Sequence, residues 1–320
     1  MSKILANDGI DSVGKAMLEA EGITVITEKI KQENLANELF DGNYDGIVVR
    51  SATTVRADII DTCPNLKVIG RAGVGMDNID VNYAQSKGKM VINTPNSSSQ
   101  SVAELVFAHF YSVARMLQLS HKDMPSSGAA KFNDLKKTYS AGVELKGKTL
   151  GVIGFGRIGQ AVAKIGIGSG MKILAYDPFI ETAALDLEFF GIGKVNVEIT
   201  TGSFDELIAK SDFITMHVPH KSGTPALIGK EILSRMKPTA ILVNAARGGV
   251  VDEAALLDAI NNNLITGAGL DVFDNEPTPL ESLLNHPKIS CTPHIGASTA
   301  EAQERIGVEM ATKLIEFLKK

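Results

Sequence analysis

Three side chains of chemically useful type stand just beyond the ends of short apolar runs: Arg247 after 240–244, Glu276 after 267–271 and His294 after 288–292. A guanidinium offers two parallel donors to a carboxylate, which fixes orientation as well as charge. Imidazole ordinarily titrates near neutrality, so it can give a proton to a carbonyl oxygen or take one from a hydroxyl. A carboxylate on its other nitrogen would set the tautomer and stabilise the charged ring. Ligands of parallel sheets sit beyond the carboxyl ends of the strands. The three residues therefore predict one site where a 2-hydroxy acid exchanges hydride at its C2. Each has a plainer reading: a surface ion pair for Arg247, a turn residue before Pro277 for Glu276, a core histidine after Pro293 for His294.

A glycine fingerprint tips that balance. Gly154-Phe155-Gly156-Arg157-Ile158-Gly159 follows the apolar run 150–153 directly and opens a helical pattern through Ala161, Val162 and Ile165. Gly154 would make the tight turn, Gly156 would admit a pyrophosphate against bare backbone, and Gly159 would let helix pack on strand. The unpaired N–H groups of the helix start, Arg157 and Ile158 among them, favour phosphate. Asp177 ends the next strand, about 20 residues on, where a carboxylate accepts from ribose hydroxyls and repels a 2′-phosphate. Pro178 and Phe179 bring no cation, so NAD is expected rather than NADP; the competing reading has Asp177 capping a turn. His217, which ends the run 212–217, and Pro219 beyond it are expected to line the same crevice. The pair His217 and His220 is too close and too proline-interrupted for a metal site, and no metal is expected.

Positioning these residues requires a parallel α/β architecture, and the chain has its pattern. Strands are expected at 3–6, 24–27, 46–49, 67–70 and 90–93, with helices at 12–21 and 34–40 between them. A polar connector at 96–100 precedes Ser101-x-x-Glu104, the spacing of a capping box, and a long amphipathic helix through Leu117. Residues 121–141, with Lys131, Lys136 and Lys137, read as an exposed loop. A second series follows, with strands at 149–153, 172–176, 212–217, 240–244, 267–271 and 288–292 and helices at 157–167 and 204–210. Ser298-x-x-Glu301 then opens a closing helix to Lys320. The fold class is α/β, with two doubly wound parallel sheets.

Composition narrows the function classes. The 320 residues are 44% hydrophobic and 22% charged with a net charge of −5, values of ordinary globular chains that disfavour disorder. No basic patch suggests nucleic acid, no apolar stretch suits a membrane span, and the start lacks a secretory pattern, so a cytoplasmic location is expected. Cys63 and Cys291 form no C-x-x-C and read as buried small hydrophobes.

The runs GFGRIG at 154–159, VNAARGGVVDE at 243–253, GLDVFDNEP at 269–277 and TPHIG at 292–296 resemble the signatures of the D-isomer-specific 2-hydroxyacid dehydrogenases over nearly the whole chain. That resemblance implies a Rossmann NAD-binding domain at 99–294 inserted in a flavodoxin-like substrate domain at 1–98 and 295–320. It implies Arg247 as carboxylate clamp, Glu276 with His294 as acid–base pair, Asp271 as a contact to the nicotinamide amide, and a homodimer. Within the family, IVVRSAT at 47–53 and IGRAGVGMDNID at 69–80 resemble the branch that oxidises 3-phosphoglycerate to 3-phosphohydroxypyruvate, the opening step of serine biosynthesis. Arg50, Ser51, Arg71, Val74 and Gly75 would then touch substrate, with Arg50 and Arg71 as a second anion site and the lysines of 131–137 as weaker candidates across a dimer. The chain ends directly after the closing helix, so serine feedback through a C-terminal regulatory domain is not expected. Alternatives are a glyoxylate/hydroxypyruvate reductase, a D-lactate dehydrogenase, or a non-catalytic NAD-sensing interaction protein. Formate dehydrogenases of this fold carry Gln where Glu276 stands.

Overall fold

The computed structural model describes residues 2–221 and 223–319; Met1, Ser222 and Lys320, the last position of the expected closing helix, lie outside the described residues. The chain divides into two compact units, Met1–Ser99 with Ala297–Lys320, and Gln100–Gly296.

The first unit runs β1 (Lys3–Ala6), α1 (Ser12–Ala20), β2 (Thr24–Ile26), α2 (Leu35–Asp41), β3 (Gly46–Val49), α3 (Ala57–Thr62), β4 (Val68–Arg71), α4 (Val81–Ser86) and β5 (Met90–Asn93). All pairings are parallel, in the order β2-β1-β3-β4-β5, the flavodoxin-like winding. Ile4, Leu5, Ile47, Val48 and Ile69 are fully buried because helices cover both faces, which explains strands that read as continuous apolar runs. The order reverses between β1 and β3, so the crevice opens beyond Ala6 and Val49.

The second unit runs α5 (Ser99–Ala114), α6 (Leu117–Thr138), β6 (Thr149–Ile153), α7 (Arg157–Gly168), β7 (Lys172–Tyr176), β8 (Thr182–Phe189), β9 (Gly193–Thr200), α8 (Phe204–Lys210), β10 (Phe213–Met216), α9 (Lys230–Ser234), β11 (Ile241–Asn244), α10 (Glu253–Asn261), β12 (Gly267–Leu270), α11 (Glu281–Leu284) and β13 (Ile289–Cys291). Its six-stranded parallel sheet has the order β13-β12-β11-β10-β6-β7, and one apolar cluster lies on each face. Here the reversal falls between β6 and β10, beyond Ile153 and Met216. The closing helix α12 (Ala300–Leu318) belongs to the first unit, burying Ile306, Met310 and Leu314 against Ile4, Leu18 and Val68.

Several expectations need correction. Residues 121–141 are largely helical, not a loop: α6 spans Pro125 and bends at Lys131, where φ is −127°. Pro125 removes one donor from the ladder, but Ser126 Oγ bonds back to the Asp123 carbonyl, 3.1 Å away, and Tyr139 OH ties to Asp123 Oδ2 at 2.5 Å. The capping box at Ser101 is not formed, because the helix starts at Ser99 and Glu104 accepts from Gln100 Nε2 at 2.8 Å. That helix stops at Ala114, and Met116 turns left-handed before α6. The cap of α12 is Thr299 rather than Ser298, accepting from Ala302 N at 3.1 Å. The β8–β9 hairpin was not expected, although alternation at Leu185 and Leu187, both buried, with Gly191 and Gly193 at the turn, was its signal.

Candidate functional site

Beyond β6 lies the glycine loop, which leads from the strand into α7. Gly154 has φ of 85°, and a Cβ there would lie 2.6 Å from the His217 carbonyl oxygen, so only glycine fits that turn. A Cβ on Gly159 would lie 2.2 Å from the Gly154 carbonyl, which is the close helix-on-strand approach. Gly156 differs: a Cβ would meet nothing within 4 Å, and no side chain caps α7 there. Open space next to uncapped N–H groups is what a dinucleotide phosphate needs. Arg157 and Ile158 form the first turn of α7, with Arg157 exposed.

Asp177 holds this loop. Its Oδ2 accepts from Phe155 N at 2.8 Å, and its Oδ1 accepts from Phe179 N and Ile180 N at 2.8 and 3.2 Å. The turn-capping role weighed against a ribose role is therefore present, and the carboxylate braces the glycine loop besides. His217 Nε2 pairs with Thr215 Oγ1 at 3.2 Å while its Nδ1 is shut off from solvent without a partner. Desolvation pulls its pKa down to about 3, so the ring is neutral. Pro219 is exposed in the loop beyond.

The strand ends β11, β12 and β13 carry the three reactive candidates. Asn244, buried at the end of β11, builds the turn for Arg247: its Oδ1 accepts from Ala246 N at 3.1 Å and its Nδ2 donates to the Arg247 carbonyl at 2.9 Å. Arg247 Nη1 donates to the Ala246 carbonyl at 2.6 Å. Glu276 Oε1 accepts from Phe273 N at 2.9 Å, which leaves Oε2 for His294 Nδ1 at 2.8 Å. Burial pushes the Glu276 pKa up, but the bonds from His294 and Phe273 N, with the charges of His294 and Arg247, bring it below the usual carboxylate value. Among these causes the charge of Arg247 comes last. His294 and Glu276 are 39% and 36% exposed, open enough to meet a ligand. Nε2 is the ring nitrogen of His294 that Glu276 does not hold.

Asp271 is buried at the end of β12 and clasps the chain around His294, accepting from Thr292 Oγ1 at 2.6 Å and from Ile295 N and Gly296 N at 2.8 Å each. Sequence reading missed Asn244 and also Glu253, the first residue of α10 and 6% exposed. Glu253 accepts from Asp274 N at 2.8 Å, and Asp274 in turn accepts from Gly249 N. Burial, then the charges of Asp274, Asp252 and Glu276, raise the Glu253 pKa despite that bond. A raised folded-state pKa means the ionised group costs stability, a cost absent below the ordinary value of 4.5 and growing as pH climbs past it. Glu253→Gln keeps an acceptor without the charge. Its melting temperature is expected to match the unaltered chain near pH 4 and to exceed it at pH 8; an equal difference at both ends would contradict the assignment.

The remaining substrate candidates lie in the first unit. Arg50 and Ser51 follow β3, and Arg71 ends β4, with Val74 and Gly75 in the loop beyond. Asp8 accepts from Arg50 N at 2.7 Å and from Thr53 Oγ1 at 2.7 Å, and pairs with Lys29. A cavity of about 260 Å³ there is lined by Asp8, Asp11, Arg50, Ala72, Gln303 and Ile306. Arg71 Nη1 donates to the Ala72 carbonyl at 3.1 Å. No described helix is long and apolar enough to cross a membrane.

Residues 107–296 match the family model of the D-isomer specific 2-hydroxyacid dehydrogenase NAD binding domain. The chain is 41% identical to a hydroxypyruvate reductase of Thermotoga maritima over 99% of its own length and 98% of the relative's. It is also 41% identical to a D-3-phosphoglycerate dehydrogenase of Methanocaldococcus jannaschii, over 100% of this chain and 58% of that one. The chain thus spans little more than half of that relative. An NAD-dependent formate dehydrogenase of Staphylococcus aureus, solved in complex with NAD, superposes with a TM-score of 0.79 at 29% identity, covering 99% and 96% of the two chains. The chain therefore belongs to the D-isomer-specific 2-hydroxyacid dehydrogenases and carries their NAD-binding domain.

Proposed function

We propose that this chain oxidises D-3-phosphoglycerate to 3-phosphohydroxypyruvate with NAD, the first step of serine biosynthesis, in the cytoplasm. The observation that carries the chemistry is the Nδ1 to Oε2 bond between His294 and Glu276 at 2.8 Å, within the field of Arg247. When bound at Gly154, Gly156 and Gly159, NAD supplies the hydride acceptor. Arg247 clamps the substrate carboxylate and so aims C2. His294 Nε2 takes the C2 hydroxyl proton, and Glu276 offsets the positive charge that the ring acquires. Asp177 faces the ribose, His217 and Pro219 line the crevice, and Asp271 contacts the nicotinamide amide. Residues 99–294 hold the cofactor and the rest holds substrate; Arg50, Ser51, Arg71, Val74 and Gly75 recognise it, the two arginines taking the phosphate. A homodimer is part of the reading, supported by the exposed Leu117, Met124 and Phe132 of α6.

The relative from Thermotoga, matched over 98% of its length, favours a second reading, reduction of hydroxypyruvate or glyoxylate. Rates of NAD reduction with 3-phosphoglycerate, D-lactate, D-glycerate and 2-hydroxyglutarate, measured side by side, decide between them. Preference for an unphosphorylated acid would end the phosphoglycerate reading, and no turnover with any acid would favour an NAD-sensing role.

The cradle has its own test. Gly156→Val adds atoms where a Cβ meets open space, at a φ of −69° that valine accepts. NAD binding is expected to weaken by about tenfold or more, the equivalent of roughly one lost charge-assisted hydrogen bond. The melting temperature without cofactor should hold; unchanged NAD affinity by calorimetry would contradict the placement.

A further inference from the structure

His109 sits in the middle of α5, 2% exposed, and the proposed chemistry does not use it. Both of its ring nitrogens are bonded, Nδ1 with Ser290 Oγ and Nε2 with Thr292 Oγ1, each at 3.0 Å. The directions of these bonds follow from counting protons. Asp271 already receives Ile295 N–H on one oxygen and Gly296 N–H on the other, so it acts as an acceptor, and the Thr292 hydroxyl donates its single proton to it. Thr292 Oγ1 is then left to accept from His109. That assigns the imidazole proton to Nε2 and makes Nδ1 the acceptor for Ser290. Burial lowers the His109 pKa against the opposing charge of Asp271, which keeps the ring in this one neutral form.

The chain of donors ends on the Asp271 carboxylate, which also accepts from the peptides that follow His294. His294 has φ of 54°, in the left-handed region that a residue with a Cβ avoids unless its surroundings hold it there. What holds it is Thr292 on one side and Ile295 and Gly296 on the other, all bonded to Asp271. His109 has been given room for this: a Cβ on Gly269 of β12 would lie 2.5 Å from the His109 Cβ.

We propose that His109 is a positioning residue for His294, acting through Thr292 and Asp271 to keep the imidazole turned onto Glu276. The inference rests on the acid–base reading of His294, and its tests separate the two. The full chain carrying His109→Leu, His109→Gln, Thr292→Val or the Leu–Val pair is assayed for kcat, KM and NAD affinity with 3-phosphoglycerate and with D-glycerate. Amide hydrogen exchange of the peptide covering 292–296 is followed in parallel. His109→Leu is expected to lower kcat by roughly 10- to 100-fold, the usual cost of a misplaced catalytic group, with KM for the acid nearly kept. Exchange at Ile295 and Gly296 should quicken. Gln retains an N–H donor at the ε position and should restore most of both. The double variant should be no worse than the poorer single one, because both cut one chain. Should His109→Leu not fold, the Gln and Val variants carry the same comparison. Unchanged kcat and exchange in the Leu variant, or additive losses in the double, would overturn the proposal. A His294→Ala control that keeps turnover would instead overturn the acid–base reading, while the exchange result still decides whether His109 orders the loop.

Discussion

Replacing His294 with alanine is expected to reduce kcat by about 100- to 10 000-fold, the range over which a positioned proton-transfer group contributes. The geometry explains why the loss should fall on turnover. Nδ1 is committed to Glu276, which in the proposed chemistry leaves Nε2 for the reacting hydroxyl. NAD affinity should hardly move, because the glycine loop and Asp177 lie at the ends of β6 and β7 rather than on the strand that carries His294. Folding should survive, since the side chain is 39% exposed, although alanine at φ of 54° retains the left-handed strain. Glu276→Gln is the informative companion: an amide can still accept from Nδ1–H but cannot offset a charged ring, so an intermediate loss is expected. Steady-state rates and NAD binding on the same preparations check both. A near-normal kcat in the alanine variant would remove the assignment.

What could be read from the residues alone was the part governed by strand ends. Arg247, Glu276 and His294 stand out because polar types follow buried apolar runs, and a parallel sheet sends all such positions to one edge. Gly154, Gly156 and Gly159 stand out for the same local reason, and their surroundings differ: a Cβ would strike backbone at Gly154 and Gly159 and meet open space at Gly156. The unread parts are those where a tertiary partner decides. His109 looks like any buried helical histidine until Ser290 and Thr292, far along the chain, are brought against it. Ser298 and Thr299 are both acceptable caps, and in the fold it is Thr299 that stands before Ala300 and accepts from Ala302 N. In α6, Pro125, Ser126 and Gly128 resemble a loop, yet hydroxyl bonds to earlier carbonyls keep the helix going. The Asp177 carboxylate serves turn and glycine loop together, a double duty that spacing cannot reveal.

The second large effect is expected at Arg247. Arg247→Ala should raise KM for the acid by about 100-fold and lower kcat by about tenfold, since the lost donors both bind the carboxylate and aim C2. Lysine restores charge but not the planar fork, so Arg247→Lys should recover part of the KM and little of the kcat. The turn itself should persist, because Asn244 holds it through the backbone of Ala246 and Arg247. A second consequence follows from charge. Arg247 is one of the groups that bring the Glu276 pKa below its ordinary value, after the bonds from His294 and Phe273 N have offset burial. A depressed carboxyl stays ionised to lower pH, so the unaltered chain should keep its activity further into acid. Without Arg247 the carboxyl takes up its proton sooner on acidification, and the acid limb of kcat should move to higher pH in the alanine variant while the lysine variant stays close to the original. Rates from pH 4 to 8, with the acid saturating, separate this shift from weaker binding. If alanine leaves the KM for every hydroxy acid unchanged, the carboxylate is held elsewhere; if KM rises but the acid limb stays still, Arg247 binds substrate without governing Glu276.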